Sequence, residues 1–444
     1  MCASLASLIL LCCATAGVAQ EVAVDNESGV GARAMGMGGT GIAAVNDITA
    51  VIYNPAALAR LTNIEGYLGV NILKRDIKAT LKSAVEAEGT ASSLTDYSGI
   101  GSFGIAYPMP TERGSLVLAL AYNRVKDFEG RFRFDGYNDA LAGSQTGDSI
   151  EEGGLGILSF AGALDVAPNL SFGAAFDIWM GSYKRDNRLL LNDYTDDPDY
   201  PVLSQLDVTG LDDDISAWSF KPSMLYHLDK FRLGAYLQFP MRFHIKEYNY
   251  TELYSRGDGE YFNLYEVIDP TSEFTDDSYD DHMSYTIKAP MQFGVGVAWT
   301  PVGKSMVAFD VIYENWKQAK LVYPSDYVQE PNYFRDKYRS SLSWRVGYEQ
   351  PLPLLGLTAR VGYLRQPLLF KGPRGLEAGL PEITVKNERD FITFGLGKQF
   401  EGIVSVDAAL SYGVWKEQEG LRSDTENRTR VYVSVTYLAP KLFQ

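Results

Sequence analysis

The sequence predicts an all-β protein: a transmembrane antiparallel β-barrel of about 14 strands, with an N-terminal hatch, or plug, inside the lumen. Three observations favour this fold class. The composition is rich in aromatic residues and glycine, many segments alternate between apolar and polar residues, and short connections between segments alternate with long ones.

The composition favours strands and turns. The 444 residues include 28 Tyr, 21 Phe, 6 Trp and 42 Gly, and aromatic residues prefer strands whereas glycine marks turns. After the N-terminal leader, no apolar run approaches the roughly 18 to 20 residues of a transmembrane helix. A polytopic helical membrane protein is therefore excluded, which leaves a soluble β protein or a barrel.

Alternation of apolar and polar residues predicts strands with two different faces. The clearest segments are 293–299, 342–348, 404–412 and 431–437, where Phe, Val, Leu, Trp and Tyr alternate with Gly, Ser, Asp and Arg. A soluble sandwich would show the same period with its polar face outside. Periodicity alone therefore leaves both folds open.

The spacing of the strands favours the barrel. Short turns, expected at 108–114, 167–169, 229–230, 301–304, 351–356 and 401–402, alternate strictly with longer loops. Outer-membrane barrels have short periplasmic turns and long extracellular loops, and aromatic strand ends such as Tyr107, Trp299, Tyr348 and Tyr437 suit the bilayer interface. The expected strands are 64–74, 98–108, 115–134, 152–166, 170–184, 215–228, 231–247, 283–300, 305–322, 337–350, 357–366, 389–400, 403–416 and 428–438.

Residues 1–19 predict a secretory signal peptide, cleaved before Gln20. The segment has no charged side chain, contains an apolar run at 8–11, and ends in Gly17, Val18 and Ala19, which suit a signal peptidase. All three cysteines lie inside it, so we expect a mature chain without disulfides or a cysteine site. Together with the barrel, this predicts localisation in the bacterial outer membrane.

The net charge of −16 is concentrated in two segments. Residues 185–214 contain nine Asp against two Arg, and residues 247–282 contain eleven acidic residues against one Arg, so the rest of the chain is near neutral. We expect both segments to be solvated loops. Such an acidic protein repels nucleic acid backbones, which excludes a nucleic acid partner.

The segment before the first strand differs from the rest of the chain. Residues 29–61 are rich in glycine and small apolar residues and show no alternation. Asn54 suits a helix N-cap and Pro55 the first helical position, which predicts a short helical turn to Arg60. A lumen of about 14 strands is too wide for side chains alone to fill. The expected organisation is a signal peptide (1–19), a hatch (20–63) and a barrel (64–444).

The hatch carries a resemblance to a known family. Arg33-Ala-Met-Gly36-Met-Gly38-Gly39, followed by Tyr53-Asn54-Pro55-Ala56, resembles the hatch of FadL-type outer-membrane transporters of long-chain fatty acids and other hydrophobic compounds. The strands at 289–299 and 307–316, and the closing strands at 391–400 and 404–412, are similar to that family too. The resemblance covers most of the mature chain.

The resemblance implies passive transport of hydrophobic molecules. Ligand would be captured in a groove between extracellular loops, pass a hatch-gated lumen and leave through a lateral gap in the wall. The expected partners are a hydrophobic small molecule or lipid and the lipids of the outer membrane, and the expected oligomeric state is a monomer. Related barrels that share the glycine-rich start dock secreted proteins, which is the main alternative. An outer-membrane enzyme of lipid metabolism is a third.

Competing motifs are weak. Gly36 to Gly41 matches the dinucleotide pattern GxGxxG, but no strand precedes it. The chain has three histidines and no GxSxG or HExxH motif, so we expect neither an enzyme nor a cofactor. The runs at 212–214 and 280–282 could hold a divalent ion, although hydrated acidic loops are the simpler interpretation, and no metal site is expected.

Two sites are expected on the path of a ligand. Apolar residues within the acidic segments predict an outer groove, with contacts from Leu189, Leu190, Leu191, Phe262 and Tyr265. Family members place a low-affinity groove in the corresponding loops. Inside the barrel, we expect the hatch to be held by polar lumen residues, namely Asp177, Arg345, Arg360 and Asp407.

The third strand predicts the exit, at Tyr122, Asn123 and Arg124. Leu116, Leu118, Leu120 and Tyr122 share one face, and continuing that parity would turn Arg124 and Lys126 toward lipid, where a midplane cation costs roughly 2 to 4 kcal/mol. A bulge or kink near Asn123 would correct the parity and break the ladder with the second strand. The family's lateral gap arises from such a kink. Alternatively, the strand has left the membrane by Arg124.

Overall fold

The computed structural model describes residues 29–82, 88–138, 143–192, 202–257, 260–269, 271–272, 275–301, 303–324, 331–371, 383–385, 388–419 and 422–439. The predicted signal peptide lies outside these residues.

Nineteen strands form one antiparallel sheet that closes as a barrel when the last strand pairs with the first, from Ile64 opposite Ala439 to Leu81 opposite Arg422. Five crossings consist of two shorter strands each, so the wall is crossed fourteen times, as predicted. The strands are β1 (Ile64–Lys82), β2 (Glu88–Met109), β3 (Leu116–Asp127), β4 (Gly130–Asn138), β5 (Gly143–Ala167), β6 (Leu170–Asn192), β7 (Val202–His227), β8 (Phe231–Gln238), β9 (Arg242–Gly257), β10 (Thr275–Lys288), β11 (Gln292–Trp299), β12 (Met306–Asn315), β13 (Lys320–Val322), β14 (Ser340–Leu352), β15 (Leu357–Gln366), β16 (Ile383–Val385), β17 (Arg389–Phe400), β18 (Val404–Glu419) and β19 (Arg422–Ala439).

The outward face of the wall carries an apolar belt. In β3, Leu118 and Leu120 are 50% and 42% exposed, whereas Val117 and Ala119 between them are buried. Such alternation is typical of a wall with lipid outside. Other crossings expose large apolar side chains in the same way, including Leu68, Phe103, Phe160, Phe176, Phe220, Leu233, Phe293, Phe309, Phe394 and Val433.

Much of both acidic segments is strand, which corrects the sequence prediction, whereas residues 260–269 form a loop. β6 continues to Asn192 and β7 already begins at Val202, while β9 runs to Gly257 and β10 begins at Thr275. Pairing satisfies the backbone of these outer extensions even beyond the bilayer. Their outward side chains are charged because that face meets water: Asp212 and Asp214 are exposed on β7, whereas Asp213 between them is buried.

Three neighbouring crossings are interrupted at the same level, which we call the kink line: residues 239–241, 289–291 and 316–319. Before this line, even-numbered residues of the first of these crossings face the lumen, as Tyr236 of β8 does; after it, odd-numbered residues do, as Phe243 of β9 shows. Pro240 and Pro290 lie at two of the interruptions and cannot donate a ladder hydrogen bond.

Residues 29–61 fold inside the lumen as the predicted hatch. They contain α1 (Ala32–Gly36), α2 (Ala50–Tyr53) and a 3₁₀ helix (Pro55–Arg60), and almost all of their side chains are buried. The predicted cap is present, since the Asn54 side chain accepts a hydrogen bond from the Ala56 amide. A further helix, α3 (Tyr333–Lys337), lies near the outer mouth.

None of the helices in the described ranges has both the length and the apolar character that a membrane-spanning helix requires.

Candidate functional site

An ion network joins the hatch to the barrel wall. The Arg33 guanidinium donates two hydrogen bonds of 3.0 Å to the Glu349 carboxylate. Arg360 donates to Glu349 at 2.7 Å and to Asp407 at 2.7 Å. Both arginines and both carboxylates are therefore engaged in one chain of ion pairs. The predicted roles of Arg33 in the hatch, and of Arg360 and Asp407 in the lumen, match these positions.

The glycine-rich turn of the hatch is held by side chains of the wall. Asp310 accepts hydrogen bonds from the amides of Gly41 and Ile42, at 2.7 and 3.0 Å. Arg345 donates to the Gly39 carbonyl at 2.9 Å, and Thr393 accepts from the Gly38 amide at 2.8 Å. These contacts satisfy backbone groups that are buried between the hatch and the wall.

The close approach of hatch and wall explains why glycine is needed on both sides. Gly38 has a φ of +71°, and a Cβ there would lie 2.6 Å from the Tyr363 carbonyl oxygen. Gly36 meets Gly395 of the wall, where a Cβ on Gly36 would lie 2.9 Å from the Gly395 Cα. The small and polar face of the predicted strands thus receives the hatch backbone.

The second half of the hatch docks on β7. The Asn54 amide nitrogen donates to the carbonyls of Ile42, at 2.6 Å, and Met224, at 3.1 Å. The Ala56 amide donates to Ser223 at 2.9 Å, and Pro55 is buried beside it. Asn54 therefore ties the two halves of the hatch to each other and to the wall, a role wider than the predicted cap.

Asp177, a predicted hatch contact, reaches the hatch through a neighbouring side chain. It accepts a hydrogen bond from Ser159 at 2.6 Å and lies 3.9 Å from the Lys221 ammonium. Lys221 is the group that reaches the hatch, since it donates to the Ile52 carbonyl at 3.0 Å. Sequence reasoning missed Lys221, although its place between Ser219 and Ser223 on the luminal parity was a usable signal.

An apolar core fills the lumen beyond the hatch. It is continuous with the buried apolar side chains of the hatch, and its aromatic members pack closely, as when Trp179 meets Phe243 edge to face at 5.8 Å between centroids. On β9, β10 and β13, alternation did not predict this luminal core, because the luminal parity changes at the kink line. Its buried wall and mouth residues include Val125, Phe128, Leu155, Ile157, Trp179, Tyr183, Leu211, Ile215, Phe243, Ile245, Tyr285, Ile287, Trp316, Leu321, Phe334 and Tyr338.

The residues predicted for the outer groove lie in several places. Leu190 and Phe262 are buried together with Leu206, Val208 and Tyr254, in a cluster that we call the outer cluster. Leu191 is 2% exposed but lies outside this cluster, and Leu189 is half-buried. Tyr265, 48% exposed, accepts hydrogen bonds from Arg131 and Arg133 and donates to Asp148 at 2.7 Å.

Tyr265 also borders a cleft of about 300 Å³ on the outward side of the outer extensions. The other lining residues are Asp148, Ile150, Glu152, Lys184, Asp186 and Arg188. Most of these side chains carry charge, so this cleft is a polar surface and differs from the predicted apolar groove. The apolar side chains of the loop have instead packed on one another in the outer cluster.

The barrel ladder is interrupted beside the third crossing. β2 pairs with β3 from Met109–Leu116 to Ser102–Asn123, and next pairs with β4 at Ser92–Arg133. Residues 93–101 of β2 and residues 124–132 of the third crossing thus face each other, but no ladder pairs join these two segments. The interruption predicted at Asn123 is present, and the bulge lies slightly later, where Val125 is the extra residue against β5.

Charged side chains line this interruption and neutralise one another. The Arg124 guanidinium lies 4.4 Å from the centre of the Tyr97 ring and donates to Asp127 at 2.7 Å. Arg430 of β19 lies 2.9 Å from the same carboxylate. The bulge turns Lys126 inward, where it is 6% exposed. Tyr122 is the last residue of β3 that follows the outward alternation. Its ring stacks on the Phe103 ring, with 5.4 Å between the ring centroids.

No group of three or more His, Cys, Asp or Glu side chains in the described residues is placed to hold a metal ion. Alternation explains this for residues 212–214, because Asp213 faces the lumen while its two neighbours face outward.

A family model identifies the family of this barrel. The model described as outer membrane protein transport protein (OMPP1/FadL/TodX) matches residues 10–439, which is nearly the whole chain. The chain belongs to this family. It is therefore a transport protein of the outer membrane and not an enzyme, as the sequence predicts. None of the curated proteins compared with the sequence matches it.

Solved structures of the family share the fold. A Pseudomonas aeruginosa FadL homologue is 16% identical with a TM-score of 0.64, over 93% of this chain and 98% of that one. The P. putida toluene transporter TodX is 15% identical with a TM-score of 0.61, over 93% and 99%. The Ralstonia pickettii toluene transporter TbuX is 16% identical with a TM-score of 0.59, over 93% and 98%. At this identity the likeness is one of fold.

Proposed function

We propose that this protein passively transports hydrophobic molecules across the outer membrane and releases them sideways through the interruption between β2 and β3–β4. One observation carries the proposal: the interruption adjoins the luminal core. Val125 and Phe128 lie in the segment that has no ladder pairs to β2, and both are buried members of that core. A ligand dissolved among these side chains would meet the opening without crossing a paired strand.

The proposed ligands are hydrophobic small molecules such as long-chain fatty acids or aromatic hydrocarbons. The family resemblance suggests the first class, and two structural neighbours are named as toluene transporters. The apolar and aromatic side chains of the luminal core suit either class, because removing apolar surface from water stabilises binding by about 25 cal/mol per Å². Oleate and toluene are therefore the two probes for transport.

We place the capture of ligand at the outer end, on the side of the outer cluster. Residues 260–269 fold back over the outer extensions, where Phe262 packs against Tyr254 and Tyr265 remains half exposed. Of the three leucines 189–191 on β6, Leu190 packs with Phe262 of this loop. A ligand would displace part of the outer cluster, since Leu190 and Phe262 are buried in the absence of one.

A crosslink across the interruption tests the proposed exit. Tyr97→Cys and Arg124→Cys replace two side chains that already meet across it, and a reducible bismaleimide can join them. We expect the crosslink to abolish uptake of oleate or toluene by cells that depend on this protein. Reduction should restore uptake to the level of the uncrosslinked double variant.

The matched control is a crosslink within the paired part of the same two strands. Phe103→Cys and Tyr122→Cys lie directly opposite each other on β2 and β3, so joining them should leave uptake unchanged. Full uptake through the barrel crosslinked at positions 97 and 124 would contradict the exit. If neither probe is taken up by the unmodified protein, the docking of secreted proteins becomes the better hypothesis.

A further inference from the structure

Asp213 is a buried carboxylate in the outer half of the lumen that the transport path described above does not use. It lies on the luminal face of β7, between Leu211 and Ile215 on the same face. Tyr183 of β6 and Glu247 of β9 are directly opposite it on the neighbouring strands. Its surroundings are thus the wall of the luminal core, to which Tyr183, Leu211 and Ile215 belong.

The carboxylate of Asp213 is 0% exposed, and neither of its oxygens accepts a hydrogen bond from any described residue. The hydroxyl of the Tyr285 side chain, which is 3% exposed, lies beside Glu247 and Asp213. A buried polar group left without a hydrogen bond costs about 1 to 3 kcal/mol. A buried carboxylate with both oxygens unsatisfied therefore requires an explanation.

Other buried carboxylates of the lumen show what a structural role looks like. Glu349 is held by Arg33 and Arg360, Asp407 by Arg360, and Asp310 by two amides of the hatch. Each of these carboxylates fastens one part of the protein to another. Asp213 fastens nothing, so its polar atoms remain available to a molecule that enters the luminal core.

The charges around Asp213 decide which molecules would suit it. On the luminal faces of β5 to β9 near this level lie Glu151, Arg185, Asp213 and Glu247. Three carboxylates thus lie near the Arg185 guanidinium, and one of them, Glu151, already accepts a hydrogen bond from Tyr183 at 3.1 Å and lies beside the Arg75 guanidinium. An anionic headgroup would be repelled here, whereas a hydroxyl or ammonium group could donate to the unsatisfied oxygens.

We propose that Asp213, supported by the Tyr285 hydroxyl, is a polar docking point within the luminal core that selects hydrophobic molecules carrying a hydrogen-bond donor, such as phenols, alcohols or amines. This inference rests on the proposed function, because it names the substrate class of the same path. The donor of the ligand meets Asp213, and its apolar body lies among side chains such as Trp179, Phe243 and Ile287. Plain hydrocarbons lack the donor and carboxylates bring the wrong charge, so both classes would use the path without this contact.

Three matched probes test the selection: 4-ethylphenol, ethylbenzene and 4-ethylbenzoate, which share an apolar body and differ in the polar group. Binding to the purified full-length protein in detergent is measured by titration calorimetry. One satisfied hydrogen bond corresponds to about a tenfold preference for 4-ethylphenol over ethylbenzene. We expect that preference, and weaker binding still of 4-ethylbenzoate.

Variants on β7 and β10 locate the effect. Asp213→Leu should remove the preference while retaining ethylbenzene binding, whereas Asp212→Leu alters the neighbouring exposed carboxylate and should keep it. Tyr285→Phe removes one hydroxyl without a change of shape and should reduce the preference, which provides a second variant if Asp213→Leu fails to fold. Folding of each barrel is checked by its heat-dependent mobility in gel electrophoresis.

The possible failures are distinguishable. Equal binding of 4-ethylphenol and ethylbenzene by the unmodified protein overturns the selection but leaves transport of hydrophobic molecules intact. An unchanged preference in both Asp213→Leu and Tyr285→Phe overturns the docking point. If none of the probes binds, and oleate and toluene are not taken up, the inference and the proposed function fail together.

Discussion

At the scale of single residues, polar side chains in the lumen were predictable as a class but their partners were not. Arg345, Arg360 and Asp407 stand at polar positions of alternating strands, so a luminal role followed from the pattern. Arg33 and Glu349 are 316 positions apart, and no local pattern connects them. Such pairs arise only when the barrel closes around the hatch and sets which wall positions lie beside α1.

Glu349 is the residue through which the hatch network is most easily weakened. Glu349→Ala leaves Arg33 and Arg360 without their shared carboxylate, which costs about 3 to 5 kcal/mol when a buried pair loses one partner. We expect the hatch to loosen and the ion conductance of the barrel in planar bilayers to rise. Glu112→Ala, at an exposed turn, is the control, and equal conductance of the two variants would contradict this role.

Glu266 makes the fold of the loop at residues 260–269 sensitive to acid. Arg256 donates to its carboxylate at 2.6 and 3.2 Å, and this hydrogen bonding lowers the pKa of Glu266. A lowered pKa contributes stability above the unfolded value of about 4.3 and loses it as pH falls through the folded value. A spin label at Glu260→Cys should therefore become more mobile below about pH 4.

Glu266→Gln provides the control for this pH dependence. The amide cannot titrate, so a label at the same position should show nearly constant mobility between neutral and acidic pH. A label that responds equally to acid with and without the Glu266 carboxylate would assign the transition to another group.

At the scale of elements, the membrane-facing halves of the strands were predictable and their outer halves were not. Outside the bilayer the outward face becomes charged, as at Asp212 and Asp214 of β7, so the segment resembles a hydrated loop in composition. Backbone pairing nevertheless continues, for example between β6 and β7 as far as Asn192–Ser204. The helix α1 was also missed, because its glycine-rich surroundings carry no helical periodicity.

The hatch is the element whose removal has the clearest expected consequence. Deleting residues 29–61 leaves a wall with polar and glycine positions facing an emptied lumen, such as Asp310 and Gly347. We expect the truncated barrel to conduct ions in planar bilayers far better than the intact protein. Correct insertion is verified first, and a truncated barrel that conducts no better than the full chain would show that these residues do not block the pore.

At the scale of the whole molecule, strand number and the alternation of short and long connections were sufficient to predict a closed barrel of fourteen crossings. The sequence did not reveal that the lumen has two different parts. Toward the turns, the interior is polar and holds the hatch through residues such as Asp310 and Arg345. Toward the outside it is apolar and includes Ile245 and Ile287. On β9, β10 and β13 this division coincides with the change of parity at the kink line.

In three crossings, the kink line separates two stretches of strand whose inward-facing residues have opposite parity in the sequence. On one side of it, even-numbered positions such as Tyr236 face inward; on the other, odd-numbered positions such as Phe243 do. Deleting one residue at Met241 would therefore exchange the two faces of all of β9, placing His244 and Lys246 in the lumen and Ile245 in water. The length of these short interruptions, more than their composition, therefore keeps apolar side chains on the inner face of the outer barrel.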